Sequence, residues 1–534
     1  MKKVGIITYH HYYNYGSALQ AYALQKAIEG IDKSYKAEII DYRAQDDYQR
    51  SRIQMLMLRL RRLPTYIKEW NRVKTLQKYG HVLKLKEPAF DKFFDSQFVT
   101  NGKAFHSFSD LNKESLCYDI MVTGSDQTWS PQIGFKPAMF LEFGPSNALR
   151  IAYAPSIGVS KLSKDQKDYL NLHLQSFESI SCRERLGTEL LNECVKGKEI
   201  VNVLDATLLL TKDDWNNIAI KPKIEGDYIL CYFIGHKEYY RRIAEQLSED
   251  LHLPLYYIPA SWQELGKNNI LISEAGPREF LGLIRNARLV LTDSFHGTAF
   301  SINYRKSFYS FTKIEGGKGA SDNSRLYDIL SKFHLEDRLY DKAGHIQFSD
   351  IDYTVANEHI NAERKLSLSF LKQALKDNRI CSHEDCTGCM ACEAVCQHNA
   401  IKIEKDSMGF LFPKKDLDCC VSCGLCNNRC PNNTPPVFQA PMESLVATAI
   451  SDEERNTSTS GGLASVFSRY FIKEGGVVYG CTAVDAKGIH HIRVDIEENV
   501  ELLKGSKYVQ SNMHGVITSI KNDLESGRNV LFIG

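Results

Sequence analysis

Ten of the fifteen cysteines in this 534-residue chain fall between Cys381 and Cys430, and that crowding decides what the region can fold into. Two segments, "CTGCMACEAVC" and "CVSCGLCNNRCP", each read C-x2-C-x2-C-x3-C, and Pro431 closes the second. Three thiolates spaced three residues apart wrap three irons of a cubane, while the fourth cysteine, one helical turn on, reaches a second cluster. The spacing therefore assigns Cys386, Cys389, Cys392 and Cys430 to one 4Fe-4S cluster, and Cys420, Cys423, Cys426 and Cys396 to the other. Zinc knuckles take four ligands each and usually include histidine, which this set of eight thiols does not. Cys381 and Cys419 are left over, and Gln397 stands where a proline would follow the first motif. Cys117, Cys182, Cys194 and Cys231, outside the cluster, read as core thiols.

The length is too great for one hydrophobic core and calls for several domains. Lys plus Arg (66) nearly balance Asp plus Glu (65), so no global field points to nucleic acid. Residues 1–8 enter a strand directly, without a signal-peptide pattern, and no apolar run reaches the length of a membrane span. These features predict a cytoplasmic protein. The basic, Met- and Leu-rich stretch 52–74 has the composition of a helix that can lie on an anionic inner-membrane surface, or of an insertion packed on its own domain with solvated arginines.

From Met1 to about Phe311 short apolar runs alternate with helical patterns, as in "VGIIT", "AEIIDY", "YDIMVTGSD", "RIAYAPSIG", "DYILCYFIG" and "ARLVLTDSFHG". Such alternation predicts an α/β fold with parallel sheets covered by helices. The polar stretch Lys221–Asp227 divides the runs into two Rossmann-like halves, about 1–220 and 225–345. A helical connector (346–376) leads to the cysteine region (377–433). A Pro-rich linker (434–443) then opens a further α/β segment, 444–534. Polar residues gather at the predicted strand ends, where open α/β sheets bind ligands: Asn14 and Gly16, then Ser125, Asp126 and Gln127, then Arg183, and finally Asp293, Ser294 and His296.

The motifs "NYGSALQ", "GSDQTW", "YAPSIG", "SCRE", "LDATLLL" and "DSFHGTAF", in this order, resemble those of the polysaccharide pyruvyl transferase family over residues 1–345. The resemblance implies a GT-B-like pair of Rossmann-like domains. It also implies transfer of a pyruvyl group from phosphoenolpyruvate to a sugar of a cell-surface glycan precursor or sugar-lipid. On that resemblance His296 would hold the donor phosphate or act as the acid, and Arg183 would clamp phosphate or carboxylate. Asn14, Gly16, Ser125, Asp126 and Gln127 would bind the acceptor or close the cleft, with Asp293 and Ser294 beside them. This chain has "SFH" where better-characterised members carry "RLH", so a second anion clamp has to come from elsewhere. Residues 377–433 resemble bacterial two-cluster ferredoxins, a module that needs a redox partner such as a flavin or a ferredoxin-type protein. Residues 444–534 are similar to the N-terminal part of the coenzyme F-420 hydrogenase/dehydrogenase beta-subunit family. This last resemblance implies a partial α/β domain, with flavin bound only if a further C-terminal segment completes it. The competing reading is an iron–sulfur or flavin-type oxidoreductase whose first domain only binds a sugar-phosphate-like anion.

Overall fold

The computed structural model describes residues 1–43, 66–145, 147–235, 237–261, 264–265, 270–312, 321–340, 346–381, 385–406, 409–421, 423–437, 439–483 and 488–533. Most of the basic stretch 52–74 lies outside these residues. Tyr66–Tyr79 is helical, and no described helix is long and apolar enough to cross a membrane. The chain divides into two compact units, Met1–Lys376 and Asp377–Gly534.

In the first unit the apolar runs become strands β1 (Lys2–Ile7), β2 (Tyr35–Ile39), β3 (Ile120–Thr123), β4 (Leu149–Ala152), β5 (Ser179–Cys182) and β6 (Ile200–Asn202). They form one parallel sheet in the order β2-β1-β3-β4-β5-β6. A second parallel sheet holds β7 (Ile229–Tyr232), β8 (Leu255–Tyr257), β9 (Ile270–Leu271), β10 (Leu289–Thr292), β11 (Ser307–Phe311) and β12 (Leu339–Tyr340). Its order is β9-β8-β7-β10-β11-β12. This is the expected GT-B-like pair of Rossmann-like halves. Strands such as β3 and β10 are buried on both faces, which is why they read as unbroken apolar runs rather than alternating ones.

Four helices frame the space between the two sheets. Helix α1 (Tyr15–Ile31) starts at Asn14, whose side chain accepts the Ser17 N–H at 3.2 Å. Helix α2 (Pro277–Asn286) packs beside it, and the Tyr15 ring stacks on Phe280 at 4.4 Å. Helix α3 (Phe295–Asn303) starts at Ser294, whose Oγ accepts the Gly297 N–H at 3.3 Å. Helix α4 (Ser321–Lys332) buries Leu326, Ile329 and Leu330. One hydrophobic core runs through both halves and includes Val4, Tyr15, Val122, Leu230, Phe280 and Phe300.

Helix α5 (Thr354–Ala374), in the expected connector, packs against both halves. Tyr353, just before it, donates to the Lys306 carbonyl at 2.7 Å. Farther along, Arg364 donates to the Leu208 carbonyl at 2.7 Å, and Ser367 accepts the Leu204 N–H at 2.9 Å.

The second unit holds a hairpin of β13 (Ile401–Lys405) and β14 (Leu411–Lys415). It also holds a mixed three-stranded sheet in the order β16-β15-β17, formed by Val477–Thr482 (β15), His490–Val494 (β16) and Val530–Ile533 (β17). Met390 of the cysteine region packs with Val477, Tyr479 and Met513 in one core. Gln510 joins the same parts from the other side. Its side chain accepts the Leu411 N–H at 2.7 Å and donates to the Leu411 carbonyl at 3.1 Å.

Candidate functional site

Each sheet of the first unit reverses its strand order at one place, between β1 and β3 in one half and between β7 and β10 in the other. Ligands of open α/β sheets bind outside the carboxyl ends of the strands at such switch points. The loops after all four of these strands line a single cavity of about 470 Å3, to which α4 adds Arg325 and Leu326. Tyr9, Tyr12, Asn14 and Ser17 come from the β1 side, and Asp126, Gln127 and Lys136 from the β3 side. Opposite them stand Ile234 after β7 and Asp293, Ser294, Phe295 and His296 after β10.

Helices α1 and α3 both begin at this cavity, and their first turns touch. A Cβ on Gly16 would sit 2.0 Å from Nδ1 of His296, so only glycine lets the imidazole lie against α1. Helix N-termini favour anions through their free N–H groups and dipoles, and two of them here face the same space.

Behind His296 lies Asp205, fully buried, with its Oδ2 3.7 Å from His296 Nε2. That separation is electrostatic contact rather than a hydrogen bond. Arg183 Nη1 and Ser125 Oγ donate to the same oxygen at 2.8 and 2.7 Å, while Oδ1 accepts from the Thr207 N–H at 2.9 Å and the Thr207 hydroxyl at 2.7 Å. Burial alone would raise the Asp205 carboxyl. His296, Arg183 and Thr207 overcome it and hold the group well below the usual carboxylate range. Burial likewise opposes the Arg183 charge, and the carboxylates of Glu184 and Asp205 more than offset it.

The strand-end residues singled out in the sequence thus separate into two sets. Asn14, Asp126, Gln127, Asp293, Ser294 and His296 line the cavity, with Gly16 pressed on His296. Ser125 and Arg183 stand behind as partners of Asp205 and are not among the lining residues. Arg183, expected to meet an oxyanion, is instead closed in by Asp205 at 2.8 Å, Glu184 at 3.3 Å and the Phe295 ring at 4.4 Å. Asp126 adopts φ +79°, a left-handed conformation that an aspartate tolerates better than most residues. It accepts the Ser17 hydroxyl at 2.8 Å. Sequence reasoning does not single out Asp205, Lys136 or Arg325. Asp205 has a signal within "LDATLLL", whereas Lys136 and Arg325 carry no local one.

In the second unit both cysteine motifs make the same turn. The residue after the second cysteine, Met390 or Gly424, is left-handed (φ +58° and +76°) and opens a short helix, Ala391–Ala394 or Leu425–Asn428. The third cysteine lies in that helix and the fourth follows it. Cys392 lies within electrostatic reach of Cys389 and Cys386, and Cys381 within reach of both Cys386 and Cys430. Cys426 lies within electrostatic reach of Cys420 and Cys396. Cys430 is thereby brought to the first motif and Cys396 to the second, while Cys423 stands exposed. Among the described residues no group of His, Cys, Asp and Glu is arranged to hold a single metal ion. What fits an iron–sulfur cluster is the donor set itself, two groups of soft thiolates with a shared loop geometry. Anaerobically purified protein should carry about eight irons per chain, and fewer than about seven would contradict two cubanes. Of the remaining thiols, Cys182 and Cys231 are buried and Cys194 is half-buried. Cys117 is exposed, because it precedes β3 on the surface rather than lying in it.

Ser460, Gly461 and Gly462, at the start of helix α6 (Leu463–Lys473), line a separate cavity of about 540 Å3 together with Lys504 and Gly505.

Two parallel sheets whose switch points line one cavity, in a chain that also carries a unit with paired cysteine loops, define an α/β protein with a cleft at its strand ends and a cysteine-rich module. The polysaccharide pyruvyl transferase family model matches residues 14–312. The chain belongs to that family. A 4Fe-4S dicluster domain model matches residues 385–434, which makes the second unit the carrier of iron–sulfur clusters. No curated protein matched the chain. Among solved structures it is similar to a UDP-GlcNAc 2-epimerase from Neisseria meningitidis bound to UDP-GlcNAc, at 10% identity over 70% of this chain and 100% of that one, with a TM-score of 0.33. It is also similar to the UDP-GlcNAc 2-epimerase from Methanocaldococcus jannaschii, at 12% identity over 68% and 92%, with a TM-score of 0.31. An ADP-bound heptosyltransferase from E. coli aligns at 10% identity over 60% and 90%, with a TM-score of 0.29.

Proposed function

We propose that the first unit transfers a pyruvyl group from phosphoenolpyruvate to two hydroxyls of a sugar in a glycan precursor, forming a cyclic ketal and releasing inorganic phosphate. The observation that carries this reading is His296, set in the wall of the inter-sheet cavity and backed by the buried, ionised Asp205. The reaction needs a proton on the donor methylene carbon, two new C–O bonds at its neighbour, and neutralisation of the departing phosphate. One hydroxyl proton ends on the methyl group and the other on phosphate, so no electron carrier takes part.

His296 would move the proton or hold positive charge beside the leaving phosphate, and Asp205 with Arg183 would keep the ring in position. The N-termini of α1 and α3 would meet the donor's oxyanions. Asn14, Asp126 and Gln127 would bind the acceptor sugar, with Asp293 and Ser294 shaping the wall. Asp293 supports the neighbouring loop after β7 by accepting the Ile234 and Gly235 N–H groups, both at 2.6 Å. In the second unit the eight cysteines would hold two 4Fe-4S clusters that exchange single electrons with a redox partner, a function separate from the transfer.

Calorimetric titration of phosphoenolpyruvate into the full-length protein tests the donor without knowledge of the acceptor. Saturable binding, weakened in His296→Gln, is the expected result. Absence of binding by folded wild-type protein would overturn the donor assignment and favour a first unit that binds another sugar-phosphate-like anion.

A further inference from the structure

The connection from β1 to α1 carries tyrosines at 9, 12, 13 and 15, more aromatic surface than a strand-to-helix turn needs. Packing accounts for three of them. Tyr15 stacks on Phe280, Tyr13 meets the rings of Phe90 and Phe94, and Tyr9 is buried. Tyr12 instead lines the inter-sheet cavity while 52% exposed, edge-to-face with Tyr9 at 5.8 Å between ring centres. The turn that presents it is fixed on several sides. The Asn14 N–H donates to the Tyr12 carbonyl at 2.6 Å and the Gln20 amide to the Tyr9 carbonyl at 2.9 Å. The buried His10 ring meets the Thr8 carbonyl and the Asp41 carboxylate, both at 3.1 Å.

Tyr9 also meets Lys136, whose ammonium lies 5.6 Å from its ring centre. Lys136 lines the same cavity, is 8% exposed, and forms no ion pair among the described residues. Its place is set by the 3-10 turn Pro137–Phe140, whose Met139 N–H donates to the Lys136 carbonyl at 2.8 Å. The Met139 carbonyl in turn accepts the Thr123 hydroxyl of β3 at 2.9 Å and the Trp129 indole N–H at 3.0 Å. A ring face offsets a buried ammonium only in part, and such a charge remains costly until an anion meets it.

We infer that Tyr12 and Lys136 form a subsite for an acidic sugar: the pyranose lays its C–H face on the Tyr12 ring, and a carboxylate or phosphate carried by the sugar meets the Lys136 ammonium. A tyrosine, apolar across its face and polar at its tip, suits a ring that is apolar on one face and hydroxylated around its rim. Lys136 supplies a point charge that serves either anion. The inference rests on the transferase reading for calling this sugar the acceptor. Tyr12 and Lys136 belong to the loops after β1 and β3, which also carry Asn14, Asp126 and Gln127, whereas Ser294 and His296 wall the opposite side. The exposure of Tyr12 sets it at the open edge of the cavity, where a sugar attached to a larger carrier can enter.

The test is calorimetric titration of the full-length protein at low ionic strength with glucose, galactose and mannose, each beside its uronic acid and its 6-phosphate, and with phosphoenolpyruvate separately. At least one acidic sugar should bind about 10-fold or more tightly than its neutral parent, and which acid does so separates a carboxylate from a phosphate. Lys136→Met should erase that margin and Lys136→Arg should keep most of it. Tyr12→Ala should weaken neutral and acidic sugars alike by about 3- to 10-fold, with Tyr12→Phe close to wild type. Phosphoenolpyruvate binding should persist in all four variants, and tryptophan fluorescence on melting checks that each is folded. Equal affinity for neutral and acidic sugars, or failure of every sugar to bind, would overturn the subsite. Loss of phosphoenolpyruvate binding in Lys136→Met with sugar binding intact would also overturn it, leaving the transferase reading in place and assigning Lys136 to the donor. Acidic-sugar binding that depends on Lys136, in wild-type protein that binds no phosphoenolpyruvate, would support the subsite and overturn the donor reading.

Discussion

Substituting His296 with alanine should lower pyruvyl transfer by about 10^2- to 10^4-fold, the range typical for loss of a positioned acid or base, while far-ultraviolet circular dichroism stays unchanged. The size of the effect follows from the placement of the ring. It lines the cavity, rests on Gly16, and faces a carboxylate already held by Arg183, Ser125 and Thr207, so the ring is the cavity's one imidazole and is fixed in place from behind. Alanine opens space beside α1, and His296→Gln, which preserves more of the packing, provides the control. If either variant transfers pyruvate at the wild-type rate, His296 has no part in the chemistry.

Asp205→Ala should destabilise the first unit by about 3–5 kcal/mol, because it takes from the buried Arg183 charge the nearer of its two carboxylate partners. Urea denaturation followed by tryptophan fluorescence isolates this effect, since Trp70, Trp129, Trp215 and Trp262 all lie within residues 1–376. The pH dependence carries a sign. The folded carboxyl titrates well below its unfolded value, so its contribution is fully present above about pH 4 and is lost as pH falls toward the folded value. The wild type should therefore lose stability on acidification more steeply than Asp205→Ala. Equal acid limbs for the two proteins would remove Asp205 from the account of stability.

Much of this architecture is legible in the sequence because parallel strands buried on both faces leave apolar runs that cannot be mistaken for surface. The runs "VGIIT", "YDIMVTGSD" and "ARLVLTDSFHG" are β1, β3 and β10 with the loops after them. Edge strands leave no such trace. β9 and β12 are two residues long, and part-exposed pairs such as Ile270–Leu271 have no periodicity to read. The loops of the cavity are visible as polar residues at strand ends, since topology alone fixes which ends can carry a ligand.

Which of those residues face a ligand depends on contacts between distant parts of the chain. His296 meets Gly16, Gln127 meets Arg325, and Arg183 turns inward to Asp205. No local pattern encodes such pairings. The cysteine region is the opposite case. There the spacing alone is enough to draw Cys396 and Cys430 each toward the other motif, because a short helix after a left-handed residue leaves the fourth thiol little freedom of direction.

The two sheets of the first unit share one core, in which Tyr15 stacks on Phe280 and its hydroxyl bonds the Ala275 carbonyl at 2.7 Å. Helix α5 ties the same two halves together on another face. Hinged two-domain proteins spend part of a ligand's interaction energy on drawing their lobes together and ordering the seam. Here the seam is already packed as tightly as an interior, so the cleft is preorganised and that entropy was settled when the chain folded. Affinity for a small, highly charged donor can then come from a few well-aimed groups, with no large closing motion to drive.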